Sequence, residues 1–404
     1  MRTFIAVKEA RRIVLAAASA HRAVVERVPL ADALGRTLAE SIVSRDTIPP
    51  FDNSAMDGFA VRTADFADGT ATLDVIGEVA AGQVPTTAIR SGTCVRVMTG
   101  APIPDGADAI APVEWTKEEG EQVHIQRAPE PGQYVRPAGQ DVRPGDELVS
   151  TGVVVTPPVV GIAATLGYAE VEVRVPPRVA VVATGDELVP PDATPGPGQI
   201  RDANGPALAA QVVSAGGTTL GPLHARDDEA HARVVLERAL EADVVVVSGG
   251  VSMGARDVVR EVLESLGVAW EFWKVRQRPG KPLAFGTRGD TLVFGLPGNP
   301  VSSAVCFEQY VRPAIAARLG RRAVERERVP ATLAVDIRKE AGLHHFVRGV
   351  FATDNAGRLT ARPTGAQGSN LYSSVVRADG LIHLPEVLDH PAAGTAVEVE
   401  WLAW

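Results

Sequence analysis

Three loops that each follow an apolar run carry residue types suited to holding a phosphorylated ligand. They are Thr184-Gly185-Asp186-Glu187 after RVAVVA, Ser248-Gly249-Gly250-Val251-Ser252-Met253-Gly254 after DVVVV, and Leu296-Pro297-Gly298-Asn299-Pro300 after TLVFG. In open α/β sheets ligands bind beyond the carboxyl ends of the strands, where loops and unpaired N–H groups converge. The glycines of the second loop let backbone amides approach a phosphate, and a helix opening at about Arg256 adds a positive dipole end. The segment is neither G-x-x-x-x-G-K-[ST] nor G-x-G-x-x-G, so it is a phosphate cradle of another kind or simply a tight strand-to-helix turn. In the third loop Asn299 can cap a helix with Pro300 in its first position and with Ser302 and Ser303 offering hydroxyls. Plain capping accounts for it equally well. Arg278 and Lys281 flank a Pro-Gly turn, where they converge on one oxyanion or splay from the surface. Asp186, Glu187, Asp227 and Asp257 sit in or beside these loops. Carboxylates next to a phosphate make electrostatic sense when a divalent cation such as Mg²⁺ bridges the two, and otherwise read as helix caps or solvated faces.

The N-terminal third holds further dense polar turns: PPFDNSAMDGF around Asp57, MTGAP around Thr99, and RPAGQD ending at Asp141. They are functional loops or mere turn punctuation. His344 and His345 adjoin, but consecutive strand residues face opposite sides, so they do not make a metal pair. No nucleophile elbow, H-E-x-x-H or kinase motif set is present.

The elements that must position these residues follow from pattern. A chain of 404 residues with 45% hydrophobic and 22% charged residues folds into two to four compact units. With a net charge of −9 and no long Lys/Arg run, it lacks the footprint of a nucleic-acid binder. No stretch approaches a bilayer span, and the start, MRTFIAVKEARRIVL, lacks a signal peptide's apolar region, so no membrane association and a cytoplasmic location are expected. Cys94 and Cys306 have no C-x-x-C spacing and read as buried thiols. Residues 4–19 have the spacing of an amphipathic helix, and VPLADALGRTLA reads as a second helical stretch. From Thr47 to about Gln140, β-prone runs such as TLDVIGEV, TCVRVMTG and EQVHIQRA alternate with turns, predicting a β-rich domain. Pro176-Pro177 marks a boundary. From Arg178 to about Gly320 strands alternate with helices, the pattern of a parallel sheet covered on both faces, with Asn204 as a helix cap and an Asp cap in DDEAHARVV. From about Arg321 short strands predict a terminal sandwich or barrel.

Seven segments in order, PPFDNSAMDGFAVR, VMTGAPIPDGADA, VRPAGQDVRPGD, VATGDELV, SGGVSMGARD, RPGKPLAFG and GLPGNPVS, resemble the molybdopterin molybdenumtransferase family, called MoeA in bacteria and the E domain of gephyrin. The resemblance covers nearly the whole chain. It implies a multidomain α/β plus β architecture: an elongated helical and β N-terminal part (1–46 and 141–176), an inserted β lobe (47–140), a three-layer α/β molybdopterin-binding domain (177–321), and a C-terminal β barrel (322–404). It further implies a homodimer in which Asp57, Thr99 and Asp141 of one subunit's β lobe serve the cleft of its mate. The implied reaction releases AMP from adenylylated molybdopterin, with Mg²⁺, and leaves molybdenum on the dithiolene sulfurs. Thr184, Gly185, Ser248, Gly249, Gly250, Ser252, Gly254, Pro297, Gly298, Asn299 and Pro300 would then hold the pterin substrate, and Asp186, Glu187 and Asp257 the Mg²⁺. Glu187, Asp227, Asp257 and Lys281 join the three β-lobe residues as the catalytic set, while Arg278, Lys281, Ser302 and Arg348 would attract molybdate. Arg278 stands where many members carry Lys, and Gln140 where Glu is common. Two alternatives accompany this expectation: the adenylyltransferase that supplies the adenylylated substrate, itself an expected partner, whose fold resembles residues 178–320, and a non-catalytic scaffold like gephyrin.

Overall fold

The computed structural model describes residues 1–250 and 258–402. They fall into two compact units, one of Met1–Glu40, Thr151–Val160 and Ala169–Trp404, the other of Ser41–Ser150 and Gly161–Tyr168. No helix among the described residues is long and apolar enough to cross a membrane.

The first unit is organised by a seven-stranded sheet in the order Arg2–Ile5, Ala269–Val275, Ala284–Arg288, Thr291–Leu296, Val244–Ser248, Arg178–Thr184, Thr218–Ala225. Its centre is the Val244–Ser248 strand, paired in parallel with Arg178–Thr184 on one side and Thr291–Leu296 on the other. A run of four valines has no polar face, which suits a strand covered on both sides. Val244 and Val246 join the core beneath the helices Asn204–Ser214 and Pro300–Cys306. Val245 and Val247 join the core beneath Glu229–Ala239 and Val258–Ser265. The result is three layers.

Three expectations change here. The sheet is mixed: Ala269–Val275, Ala284–Arg288 and Thr291–Leu296 pair antiparallel. The link between the last two strands, Gly289-Asp290, is too short for the crossover that parallel pairing needs. Residues 2–20, grouped from sequence with the N-terminal helical part, pack instead on this sheet. Arg2–Ile5 pairs with Ala269–Val275, and the helix Val7–Ala20 buries Val7, Ala10, Val14 and Ala18 in the same core. VPLADALGRTLA is not a helix: Pro29 ends a strand, Val25–Pro29, that pairs with Glu170–Arg174, and only a single turn, Leu30–Asp32, follows.

The same unit ends in a closed five-stranded barrel. Arg328–Leu333, His344–Thr353, Leu359–Pro363, Gly380–Leu384 and Ala396–Trp401 form a sheet that closes through the pairing of His344–Thr353 with Gly380–Leu384. His344 turns inward and meets His383 across the strands, Nε2 to Nδ1 3.4 Å, while His383 Nε2 donates to Glu400 Oε2 at 3.0 Å. Burial lowers the pKa of both imidazoles, that of His344 to about 2, which keeps His344 neutral.

The second unit is built on a six-stranded sheet, Ala109–Pro112, Gly58–Val61, Thr93–Val97, Ala71–Val79, Gln122–Ile125, Thr116–Glu119. Alternate residues feed its two cores, Phe59, Val61 and Cys94 on one face and Ala60, Val95 and Val97 on the other.

Phe294, fully buried in the central sheet with its ring centroid 4.9 Å from that of Phe285, tests how far the first unit depends on this core. Phe294→Ala is expected to cost ~3–5 kcal/mol, read as a lowered denaturation midpoint in urea at unchanged slope.

Candidate functional site

Register places the critical loops at one sheet edge. Ala183 pairs with Ser248, Ser248 with Leu296, and Thr184 with Ala225. The chain therefore leaves the strands 178–184, 218–225, 244–248 and 291–296 together, and between their exits lies a cleft of about 460 Å³. Thr184, Gly185, Glu187 and Asp227 line it. Ser248, Gly249 and Gly250 form one further part of its lining, and the whole Pro297-Gly298-Asn299-Pro300 segment another. Ser252, Gly254 and Asp257 lie outside the described residues.

The glycine wall is shaped by exclusion. Gly249 sits at φ +91°, and a Cβ there would come within 2.6 Å of Thr184 Oγ1. Its N–H is tied to Leu296 O at 3.1 Å. By contrast, the N–H groups of Gly250, Gly298 and Asn299 donate to no acceptor among the described residues. Backbone donors without protein partners at a strand-end cleft are what an anion requires. The side chain of Asn299 does not cap the following helix; Pro300 fills the first turn, and only Asn299 O accepts, from Ser303 N at 3.0 Å.

Gly185, at φ +135°, makes room for the acid beside it: a Cβ would stand 2.7 Å from Glu187 Cδ, so the carboxylate folds back over the glycine. His224 Nε2 donates to Gly185 O at 2.8 Å and steadies the same turn. Asp186 Oδ1 accepts the Asp227 N–H at 3.2 Å, so it braces the loop and is not among the cleft-lining residues. Asp228 is the acid that caps the helix Glu229–Ala239, accepting from His231 N at 2.8 Å. No group of three His, Cys, Asp or Glu among the described residues could hold a metal by itself. Glu187 and Asp227 supply two carboxylates in the cleft, the number that Mg²⁺ takes when substrate phosphate and water complete its shell.

The Arg278–Lys281 turn is held from below. Gln277, fully buried, donates to Gly280 O at 3.2 Å and accepts from the Tyr310 hydroxyl. Gln277 and Arg278 extend the barrel by parallel pairing with His344 and His345. Arg348, buried in the barrel, donates to Ser374 Oγ and Gly368 O, each at 3.1 Å. Burial and then the charge of Arg278 push its pKa down to about 10. Neither Arg278 nor Arg348 has an ion-pair partner among the described residues. Two guanidinium charges that repel each other, with no paired carboxylate among the described residues, leave a positive field. The Lys281 Nζ lies 5.2 Å from the Phe4 ring centroid. Ser302 is buried in its helix. None of these four lines the cleft, although Pro282, next to Lys281, does.

In the second unit, Asp57 Oδ1 accepts both the N–H and the hydroxyl of Thr99, each at 2.7 Å. The backbone bond first and the hydroxyl second hold its carboxyl below the ordinary carboxylate range. Asp141 is exposed and is not a partner of either; its N–H donates to Ile48 O at 3.0 Å.

Sequence reasoning missed the residues between the strand Ile200–Arg201 and the helix Asn204–Ser214. Arg201, Asp202 and Asn204 all line the cleft. Asp202 Oδ1 accepts the Gly205 N–H at 2.9 Å, taking the capping role expected of Asn204. The signal was slight: a strand of only Ile200 and Arg201, with a single apolar residue, precedes the polar Asp202 and Asn204.

Comparison with known proteins places these observations. Residues 5–167 match the model for the MoeA N-terminal region (domain I and II), 180–317 that for a probable molybdopterin binding domain, and 330–402 that for the MoeA C-terminal region (domain IV). Molybdopterin molybdenumtransferase 2 of Mycobacterium tuberculosis is 37% identical over 405 residues, covering 97% of this chain and 98% of that protein. The molybdopterin molybdenumtransferase of Haemophilus influenzae is 36% identical over 379 residues, covering 93% of each. The crystal structure of a molybdopterin biosynthesis MoeA protein from Pyrococcus horikoshii superposes with a TM-score of 0.83 at 29% identity, covering 99% of this chain and all of that one.

The Asp57–Thr99 pair yields a direct test. Thr99→Val removes the hydroxyl donor, so the Asp57 carboxyl titrates at higher pH than in the parent, as followed by carboxyl-carbon NMR. The sign follows from linkage: a depressed carboxylate contributes stability above its unfolded pKa that is lost as pH falls through the folded one. The variant should therefore lose part of that acid-side dependence, and an unmoved titration would show that the hydroxyl bond is absent in solution.

Proposed function

The chain belongs to the MoeA family, and from that membership and the geometry of its cleft we propose that it is a molybdopterin molybdenumtransferase, inserting molybdate into adenylylated molybdopterin with release of AMP. The observation that carries this reading is the cleft itself, a space of about 460 Å³ lined by two carboxylates and by three backbone N–H groups that have no acceptor among the described residues.

In this reading the N–H groups of Gly250, Gly298 and Asn299 bind the substrate's phosphate and hold it without a counter-charge of their own. Glu187 and Asp227 stand where a divalent cation would be held between protein and phosphoanhydride. Bound there, Mg²⁺ would neutralise charge on the anhydride as AMP leaves. Glu187, placed by Gly185, fixes that position rigidly, so little reorganisation is needed when charge shifts to the departing phosphate. Arg278 and Arg348 attract molybdate, a dianion, through a field that no ion-paired carboxylate among the described residues cancels, and Lys281, on the same turn, adds to it. Asp57, Thr99 and Asp141 are functional residues of the second unit. The homodimer, the cytoplasmic location and the adenylyltransferase that supplies the substrate follow from the family reading.

The test is incubation with adenylylated molybdopterin, Mg²⁺ and molybdate. AMP release and a molybdenum-loaded product are expected; pyrophosphate from ATP and free molybdopterin would instead identify the adenylyltransferase. Glu187→Gln should slow AMP release by on the order of 100-fold, as for loss of one preorganised electrostatic group. Arg278→Ala should raise the molybdate concentration for half-maximal loading by roughly tenfold, the equivalent of one charge-assisted contact. Parent-like rates in Glu187→Gln would remove the carboxylate from the mechanism.

A further inference from the structure

Asn204 stands at the first residue of the helix Asn204–Ser214, where a side chain normally turns back to its own helix. Instead its carboxamide reaches across the cleft edge. Nδ2 donates to Ser248 Oγ and to Gly298 O, each at 2.8 Å, so both hydrogens of one NH₂ group are spent on two separate walls of the cleft. Ser248 Oγ in turn lies 3.0 Å from Ser303 Oγ, and the Ser303 hydroxyl bonds Pro297 O. The bonds close a ring from Asn204 through Ser248 and Ser303 to the Pro297 carbonyl, along the backbone to the Gly298 carbonyl, and back. At its centre the two loops nearly touch, with a Cβ at Gly298 coming only 3.7 Å from Gly249 Cα.

The consequence is directional. A peptide unit is planar with its C=O and N–H opposed. Fixing the Gly298 carbonyl on Asn204 therefore fixes the opposite direction for the Asn299 N–H, which donates to nothing among the described residues. Pro300 follows and has no N–H to compete. We propose that Asn204 is a positioning residue for the phosphate cradle: its carboxamide sets the separation of the Ser248-Gly249-Gly250 and Pro297-Gly298-Asn299 walls and aims their free amides at the substrate's phosphate. This rests on the molybdenumtransferase reading for the identity of the ligand, but the clasp itself does not. An asparagine is required because the site needs two donors from one atom on a short stem. Asp offers none when ionised, Ser offers one, and Gln is a methylene too long.

The experiment has two arms. In the ligand-free protein, Asn204→Ala should speed amide hydrogen exchange at Gly249 and Ser303 at least threefold while leaving Leu208, inside the same helix, unchanged. Unchanged exchange at both Gly249 and Ser303 would overturn the clasp, and a general rise that includes Leu208 would show that only the helix has loosened, which also overturns it. In steady-state AMP release, Asn204→Ala should raise KM for adenylylated molybdopterin about tenfold and change kcat less than threefold, the split expected when ground-state grip is lost and the reacting bond is untouched. Asn204→Asp should be worse than Asn204→Ala in KM, since a carboxylate repels both Gly298 O and the phosphate; a milder effect than alanine would mean that only side-chain volume matters and would overturn the proposal. Ser248→Ala, which removes one partner from the other wall, should be non-additive with Asn204→Ala. Should the parent release no AMP, the functional reading falls while the exchange arm still decides the clasp.

Discussion

The in-register parallel pairing of three strands is the constraint from which the site follows. Because Arg178–Thr184, Val244–Ser248 and Thr291–Leu296 run the same way and are level at their carboxyl ends, Thr184, Gly249 and Pro297 emerge side by side although more than a hundred residues separate the first from the last. The register is enforced on both faces, with Val244 and Val246 in one core and Val245 and Val247 in the other. A slip of one residue would exchange the two sets and carry every loop out of line. The hydrophobic core thus sets the geometry of a polar cleft that it never touches.

Within the cleft, glycine lets other groups do the chemistry. Gly185 leaves space for the Glu187 carboxylate, and Gly249 leaves space for the Thr184 hydroxyl; in each case a methyl group would come within 2.6 Å of an oxygen. Glycine costs conformational entropy on folding. That cost is accepted at these turns because an acid or hydroxyl laid over bare backbone is held more firmly than one standing free in solvent. The same economy shows in Asn204, where a residue that would serve as an ordinary cap is replaced in that role by Asp202 and released to join two walls.

How much of this the sequence disclosed depends on the range over which each signal acts. The valine run, the TGDE, SGG and PGNP loops and the helix Glu229–Ala239 are local and were readable, since a strand buried on both faces and a strand-end turn each write themselves into a few consecutive residues. The error at VPLADALGRTLA came from helical spacing of Leu30, Leu34 and Leu38 that tertiary pairing overrode, Pro29 and Glu170 forming one ladder across a long stretch of chain. The strand Arg2–Ile5 has no signal of its own: its residues are mostly exposed, and only its partner at Ala269–Val275 makes it a strand. Asn204 was legible as a cap and not as a clasp, because its partners, Ser248 and Gly298, are fixed only by the sheet.

The cationic turn shows how such long-range fixing bears on charge. Arg348 is buried in the barrel wall, where desolvation lowers its pKa to about 10, and Arg278 is brought toward it by strand pairing with His345. A folded chain gains nothing from setting two guanidinium groups near each other, and the hydrogen bonds of Arg348 to Ser374 and Gly368 only partly offset its removal from water. Beside them His344 and His345 are both depressed by burial, to about 2 and about 4, so neither adds a proton to the field at neutral pH. At neutral pH the positive charge is therefore carried by the two guanidinium groups, neither of which is paired with a carboxylate among the described residues. In the proposed reading, an arrangement that is unfavourable for the empty protein is relieved when the molybdate dianion binds, so the two guanidinium groups add to affinity for that substrate.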